Sequence, residues 1–144
     1  MKKILYVAGE ALTFASSGGL GDVMGALPSA IAESDEFDVE VIMPLYATMK
    51  QEYREKLELV TDIQFNLSWR QTGASIFKYS LGSVTYYFVE NHQYFDRAKF
   101  YGEYDDAERF AFFSRAVYDF AKLKTDPNSM TSYKIFNSIY LKLH

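Results

Sequence analysis

The chain has 144 residues, 49% hydrophobic and 17% aromatic, which suits one packed domain and argues against disorder. Its net charge of −4 leaves no basic surface to neutralise phosphates, so nucleic acid and anionic membranes are poor partners. It contains no cysteine, which excludes disulfides and thiolate metal sites and agrees with a reducing cytoplasm.

In chain order, Ile4 to Ala8 reads as a short strand, apolar on both faces as in parallel sheets. This apolar stretch is too short for a secretory leader, and Glu10 follows it too soon. Ser16 to Gly21 is a turn-rich loop with three glycines, Gly18, Gly19 and Gly21. Leu20, Val23, Met24, Leu27 and Ile31 then recur at helical spacing, with Pro28 inside the pattern and expected to bend the helix. "DVEVIMP", Asp38 to Pro44, reads as a second strand. Strand, glycine turn, helix and strand make a βαβ unit with a right-handed crossover and parallel strands.

The middle of the chain changes character. In "IQFNLSWR", Ile63, Phe65, Leu67 and Trp69 alternate with polar residues, so the stretch reads as a strand with one wet face and Trp69 in the core. Gln71 to Gly73 reads as a turn, and "ASIFKYS" returns as the partner strand of a hairpin. Val84 to Glu90 is another strand. Asn91 to Tyr104 reads as a long loop in which His92 is a solvated histidine. Asp105 and Asp106 open a second helix, Asp105 and Glu108 at capping-box spacing. Phe110, Phe113, Val117 and Phe120 share one face of it, and Lys122 and Lys124 suit its end. The remaining stretch has no clean period and no caps.

A loop between the first strand and the first helix lies at the carboxyl edge of a parallel sheet, where such sheets bind ligands. Bare backbone there brings N–H groups close to a guest, and the helix adds unpaired N–H groups and a positive dipole end. A phosphate or diphosphate fits this description, with Ser16 and Ser17 as hydroxyl donors. Glycines in such a turn also serve tight packing alone, and the spacing here is neither G-x-G-x-x-G nor a P-loop. Glu10, at the end of the strand, either accepts hydrogen bonds from a guest or holds the N–H groups of the loop. Asp22, in the first helical turn, suits the helix dipole.

Several motifs in fixed order resemble the bacterial glycogen synthases and plant starch synthases. Gly9-Glu10, Gly18-Gly19-Leu20-Gly21-Asp22-Val23 and Gly25-Ala26-Leu27-Pro28 match their opening segment, followed by "VEVIMPLY", "VTYYFVEN" and "YFDRAKFYGEYDDAERFAFFSRAV". The resemblance spans about residues 2 to 121. It implies an α/β fold, the Rossmann-like N-terminal domain of a GT-B glycosyltransferase of family 5, incomplete here, with an antiparallel hairpin added to a mainly parallel sheet. It implies transfer of glucose from ADP-glucose, or UDP-glucose, to the non-reducing end of an α-1,4-glucan with retention, and neither metal nor cofactor. Ser16, Ser17, Gly18 and Gly19 are then the expected donor-binding residues, and Glu10, Asp22 and Tyr101 the cleft candidates. Ser16 stands where the family usually has a lysine, which implies weaker hold on the donor diphosphate. The family's catalytic arginine, lysine and glutamate belong to a second domain, so none is expected in this chain. Residues 1–124 are expected to form part of the catalytic domain, and 125–144 an atypical tail with the composition of a shifted reading frame. Such a truncated chain is expected to be inactive alone, a nucleotide- or glucan-binding fragment or a nonfunctional remnant. Its incomplete sheet offers an apolar edge for self-association.

Overall fold

The computed structural model describes residues 2–124 in full and the backbone of 133–137. Strand β1, Lys2–Val7, runs into a loop that leads to helix α1, Gly19–Ala32, and back into β2, Phe37–Pro44. The two strands pair in parallel, from Lys2 opposite Phe37 to Val7 opposite Ile42. A single helical turn, α2 (Gln51–Arg54), precedes β3, Glu58–Leu67, and β4, Arg70–Leu81. Strand β5, Val84–Glu90, lies antiparallel to β4 and parallel to β2. A second single turn, α3 (His92–Phe95), leads to the long helix α4, Asp106–Lys124. Strand β6, Tyr133–Asn137, pairs in parallel with β1.

The sheet order is β3-β4-β5-β2-β1-β6. Four strands are therefore parallel, and the β3–β4 hairpin extends them in the antiparallel sense, the arrangement expected from the alternation of residues 63–81. Strands β1 and β2 are covered on both faces, which is why Ile4 to Ala8 and Val39 to Met43 are buried without alternation. On one face Phe14, from the loop after β1, packs against Tyr86 and Phe88 at 4.8 and 5.0 Å between ring centroids. On the other, α4 places Phe120 on Tyr87 and Phe112 near Phe65. Lys124 ends α4 by reaching the buried Glu40 of β2 at 2.7 and 2.8 Å, so this cation serves a core ion pair as well as the helix end.

Several local expectations need correction. The hairpin turns at Ser68–Trp69, not at Gln71–Gly73: Leu67 faces Arg70, and Ser68 adopts φ 59°. Gly73 is a strand residue opposite Gln64, and a Cβ there would stand 2.6 Å from the Ile63 carbonyl oxygen. The shift puts Trp69 at the hairpin tip, 85% exposed rather than in the core. In α1 the buried face is Leu20, Gly21, Met24, Pro28 and Ala32, while Val23 and Leu27 face outward. The helix runs through Pro28 as the stripe implied, with Pro28 on its buried side. The expected capping box at α4 is absent. Asp105 gives both carboxylate oxygens to Arg97, at 2.5 and 2.8 Å, and Glu108 lies 3.5 Å from Arg70. A guanidinium offers two parallel charged donors, a stronger attraction than a lone backbone N–H. Asp106 supplies the cap-like contacts instead, accepting from the N–H groups of Gly102 and Glu103. The expected loop 91–104 contains α3, capped by the Asn91 side chain, with Tyr94 and Phe95 fully buried. His92 opens this turn and is exposed as expected. Apart from the backbone of 133–137, the expected tail 125–144 lies outside the described residues.

Candidate functional site

Glu10 is wholly buried at the end of β1, yet its carboxylate is fully engaged. Oε2 accepts from the Ser17 amide at 2.8 Å and the Ser17 hydroxyl at 2.7 Å, and Oε1 accepts from the Gly21 amide at 3.1 Å. The two amides it takes bracket Gly18, Gly19 and Leu20. Charge-assisted bonds of this kind are the strong ones. Within the chain, Glu10 is the acceptor around which the loop folds.

The glycines of this corner divide into two groups. A Cβ on Gly21 would sit 2.7 Å from Ser16 Cβ and 3.0 Å from Ser16 Cα, and a Cβ on Gly25 would sit 2.6 Å from Leu12 Cβ. These two let the loop lie flat on the first turns of α1, where the Leu12 amide also donates to the Gly21 carbonyl at 2.9 Å. Gly19 is the first residue of α1, is exposed, and a Cβ there would meet nothing within 4 Å. Gly18 is half-buried in extended backbone, with φ 171°, and precedes the helix without a side-chain cap. Packing explains Gly21 and Gly25; it does not explain Gly19. Ser16 and Ser17 are both exposed. Ser16 rests on Gly21, while the Ser17 hydroxyl is turned to Glu10. Asp22 is exposed in the first turn of α1, near the free N–H end of the helix.

Beneath the loop lies a group of buried polar side chains. The Tyr46 hydroxyl donates to the Gly9 carbonyl at 2.7 Å. The Tyr101 hydroxyl lies against Gly9, 2.8 Å from where a Cβ would stand, and its ring stacks on Phe110 at 5.7 Å. Tyr101 thus turns its hydroxyl toward the base of the loop, next to Glu10. Burial pushes the Tyr46 and Tyr101 phenols up, and the charge of Glu10 pushes in the same direction on both. Arg109 opposes that shift.

Arg109 is the residue that sequence reasoning missed. It is fully buried and donates to the carbonyls of Tyr94 at 2.7 Å, Phe100 at 3.2 Å and Lys99 at 3.3 Å, and to Asp106 at 2.9 Å. It fixes the whole 94–106 segment, and with it Tyr101, against α4. One signal was available: Arg109, Phe113, Ala116 and Phe120 form a buried helical stripe, with a cation at its head. No group of three or more His, Asp or Glu among the described residues is arranged to hold a metal ion. No helix among them is long and apolar enough to cross a membrane.

A glycine corner at the carboxyl edge of a parallel βαβ unit defines a Rossmann-like half-domain. The profile of the starch synthase catalytic domain matches residues 3–130, and the chain belongs to that family. A glycogen synthase of Ligilactobacillus salivarius is 44% identical over 115 residues, covering 80% of this chain and 24% of that one. A glycogen synthase of Clostridium botulinum (strain Eklund 17B) is 46% identical over 127 residues, 88% of this chain and 26% of that one. The catalytic domain of starch synthase IV from Arabidopsis thaliana, solved bound to ADP and acarbose, superposes with a TM-score of 0.76 at 28% identity, over 85% of this chain and 26% of that one. The fold is thus that of the GT-B starch synthases, and the chain spans about a quarter of the length of the relatives it matches.

Proposed function

We propose that this chain is the donor-side part of a glycogen synthase, a cytoplasmic enzyme that moves glucose from ADP-glucose to the non-reducing end of an α-1,4-glucan with retention. The observation that carries the reading is the bracket made by Glu10. By drawing in the amides on either side, it leaves Gly18 and Gly19 between two anchors, with open space in front of Gly19. Backbone N–H groups so placed suit a diphosphate, whose charge also favours the helix N-terminus. The exposed Ser16 and Asp22 flank the same mouth. The ADP of the Arabidopsis relative supports a nucleoside diphosphate as the guest.

Retaining transfer needs stabilisation of a departing diphosphate together with an acceptor held in place. One wall of a cleft supplies part of the first requirement only. The chain by itself therefore binds without turning over. Calorimetric titration of the 144-residue chain with ADP tests the binding, and labelled glucose incorporation into glycogen from ADP-glucose tests the turnover. Saturable ADP binding without incorporation is expected. Absence of ADP binding at millimolar concentrations contradicts the donor-side assignment, and incorporation by this chain alone contradicts its incompleteness. Ser16→Lys adds a charged donor beside the mouth and is expected to tighten ADP binding by about tenfold or more, since a hydrogen bond to a charged group contributes roughly 1.5–3 kcal/mol. Unchanged affinity in that variant removes Ser16 from the donor site.

A further inference from the structure

We propose that the tip of the β3–β4 hairpin, built on Trp69 and Arg70, is a platform that holds an α-glucan chain away from the donor corner. The proposal rests on the glycogen synthase reading above, because that reading supplies the polysaccharide. Strand β5 ends at Glu90, opposite Ser75 of β4. From Ser75 strand β4 continues outward to Arg70, five residues beyond that level. At ~3.3 Å per residue the tip projects roughly 17 Å past the carboxyl edge of the parallel strands. This is the edge that carries the glycine corner. Four strand spacings separate β3 from β1, about 19 Å across the sheet at ~4.8 Å each. The tip and the corner therefore stand on one side of the molecule, at its two ends.

The indole is held in place rather than loosely exposed. Trp69 is 85% exposed, yet the Arg70 guanidinium sits over its ring at 5.4 Å. Arg70 is itself fixed by Glu108 at 3.5 Å and by the Tyr94 hydroxyl at 3.5 Å, both from elements beyond the hairpin. A stacked guanidinium covers one face of the ring and leaves the other for a ligand. The C–H face of a pyranose suits that surface, since aromatic rings favour partners with an apolar body and polar edges. The exposed neighbours include the uncharged Asn66, Ser68 and Gln71, able to bond sugar hydroxyls, and the charged Glu108 and Arg115 at the margin. An apolar protein partner would find only the one ring here, and a nucleic acid would meet a chain of net charge −4. A groove of about 360 Å³ crosses β3, β4 and the end of β5, edged by Asp62, Gln64, Gly73, Ser75, Glu90 and His92. A linear glucan laid along it has polar partners.

Trp69 is the only tryptophan in the chain, so its fluorescence reads this site directly. The full 144-residue chain is titrated with maltoheptaose while tryptophan emission is followed, and maltoheptaose and ADP binding are measured calorimetrically on the same sample. A saturable blue shift is expected, with Trp69→Ala weakening maltoheptaose binding about tenfold and Trp69→Phe restoring a large part of it. ADP affinity is expected to be unaltered in both variants. Unchanged emission, or maltoheptaose affinity equal in wild type and Trp69→Ala, overturns the platform while retained ADP binding leaves the donor assignment standing. A wild-type chain that dimerises in sedimentation, with Trp69→Ala monomeric and emission insensitive to maltoheptaose, overturns it in favour of a second copy of the chain.

Discussion

Two short regions at one strand–helix corner, Gly18–Gly19 and Gly21–Gly25, differ in what their missing side chains permit. At Gly21 and Gly25 the absent Cβ makes room for Ser16 and Leu12, and the loop settles on the helix. At Gly19 the absent Cβ makes room for nothing within the chain. The first region serves folding, and the second keeps backbone bare toward the outside. Glu10 joins the two, since its carboxylate reaches the amide of Gly21 on one side and of Ser17 on the other. A glycine-rich corner is therefore not evidence of a ligand as a whole; only the glycines that packing leaves unexplained are.

The contrast can be broken at several points. Glu10→Ala removes the shared anchor and strands three buried or half-buried donors, and it is expected to cost roughly 3–5 kcal/mol in denaturant unfolding. A loss below about 1 kcal/mol means that the loop does not depend on Glu10. Gly21→Ala forces a methyl against the Ser16 backbone and is expected to cost about 1–3 kcal/mol, with a lower melting temperature. Raising the pH tests the layer beneath. The Tyr46, Tyr101 and Tyr87 phenols are held above their ordinary value of 10.0, chiefly by burial. Their neutral forms stabilise the fold fully below pH 10, and that contribution is lost as the pH rises above it. Tyr101→Phe is expected to soften this alkaline loss, measured as the midpoint of unfolding against pH. Gly19→Ala has the smallest effect on stability, within about 1 kcal/mol and of stabilising sign, because an exposed first helical turn tolerates alanine. Its expected consequence is weaker ADP binding instead. Equal losses of stability in Gly19→Ala and Gly21→Ala erase the division between the two regions.

The sequence made the βαβ unit legible because its signals are local: an apolar run, a glycine cluster, a helical stripe and a second apolar run. The face of α1 was less so, because Val23 and Leu27 fit the helical period yet lie outward, while Gly21, Pro28 and Ala32 face in. Small residues sit on the side where the helix is covered, Gly21 against Ser16 of the loop, and a count of large apolar side chains overlooks them. The hairpin turn was misplaced because Gly73 resembles a turn residue, whereas Ser68 takes the left-handed conformation without any glycine signal. The glycine corner was readable in outline. The supports of Tyr101 were not, since Arg109 bonds mainly to backbone carbonyls, which carry no side-chain signature.

The most direct measurement is an ADP titration of the isotopically labelled chain followed by the backbone amide resonances. The account predicts that the Gly18 and Gly19 N–H signals shift most and saturate together, with Gly25 nearly still. Saturating ADP that moves resonances elsewhere while leaving Gly18 and Gly19 in place contradicts it.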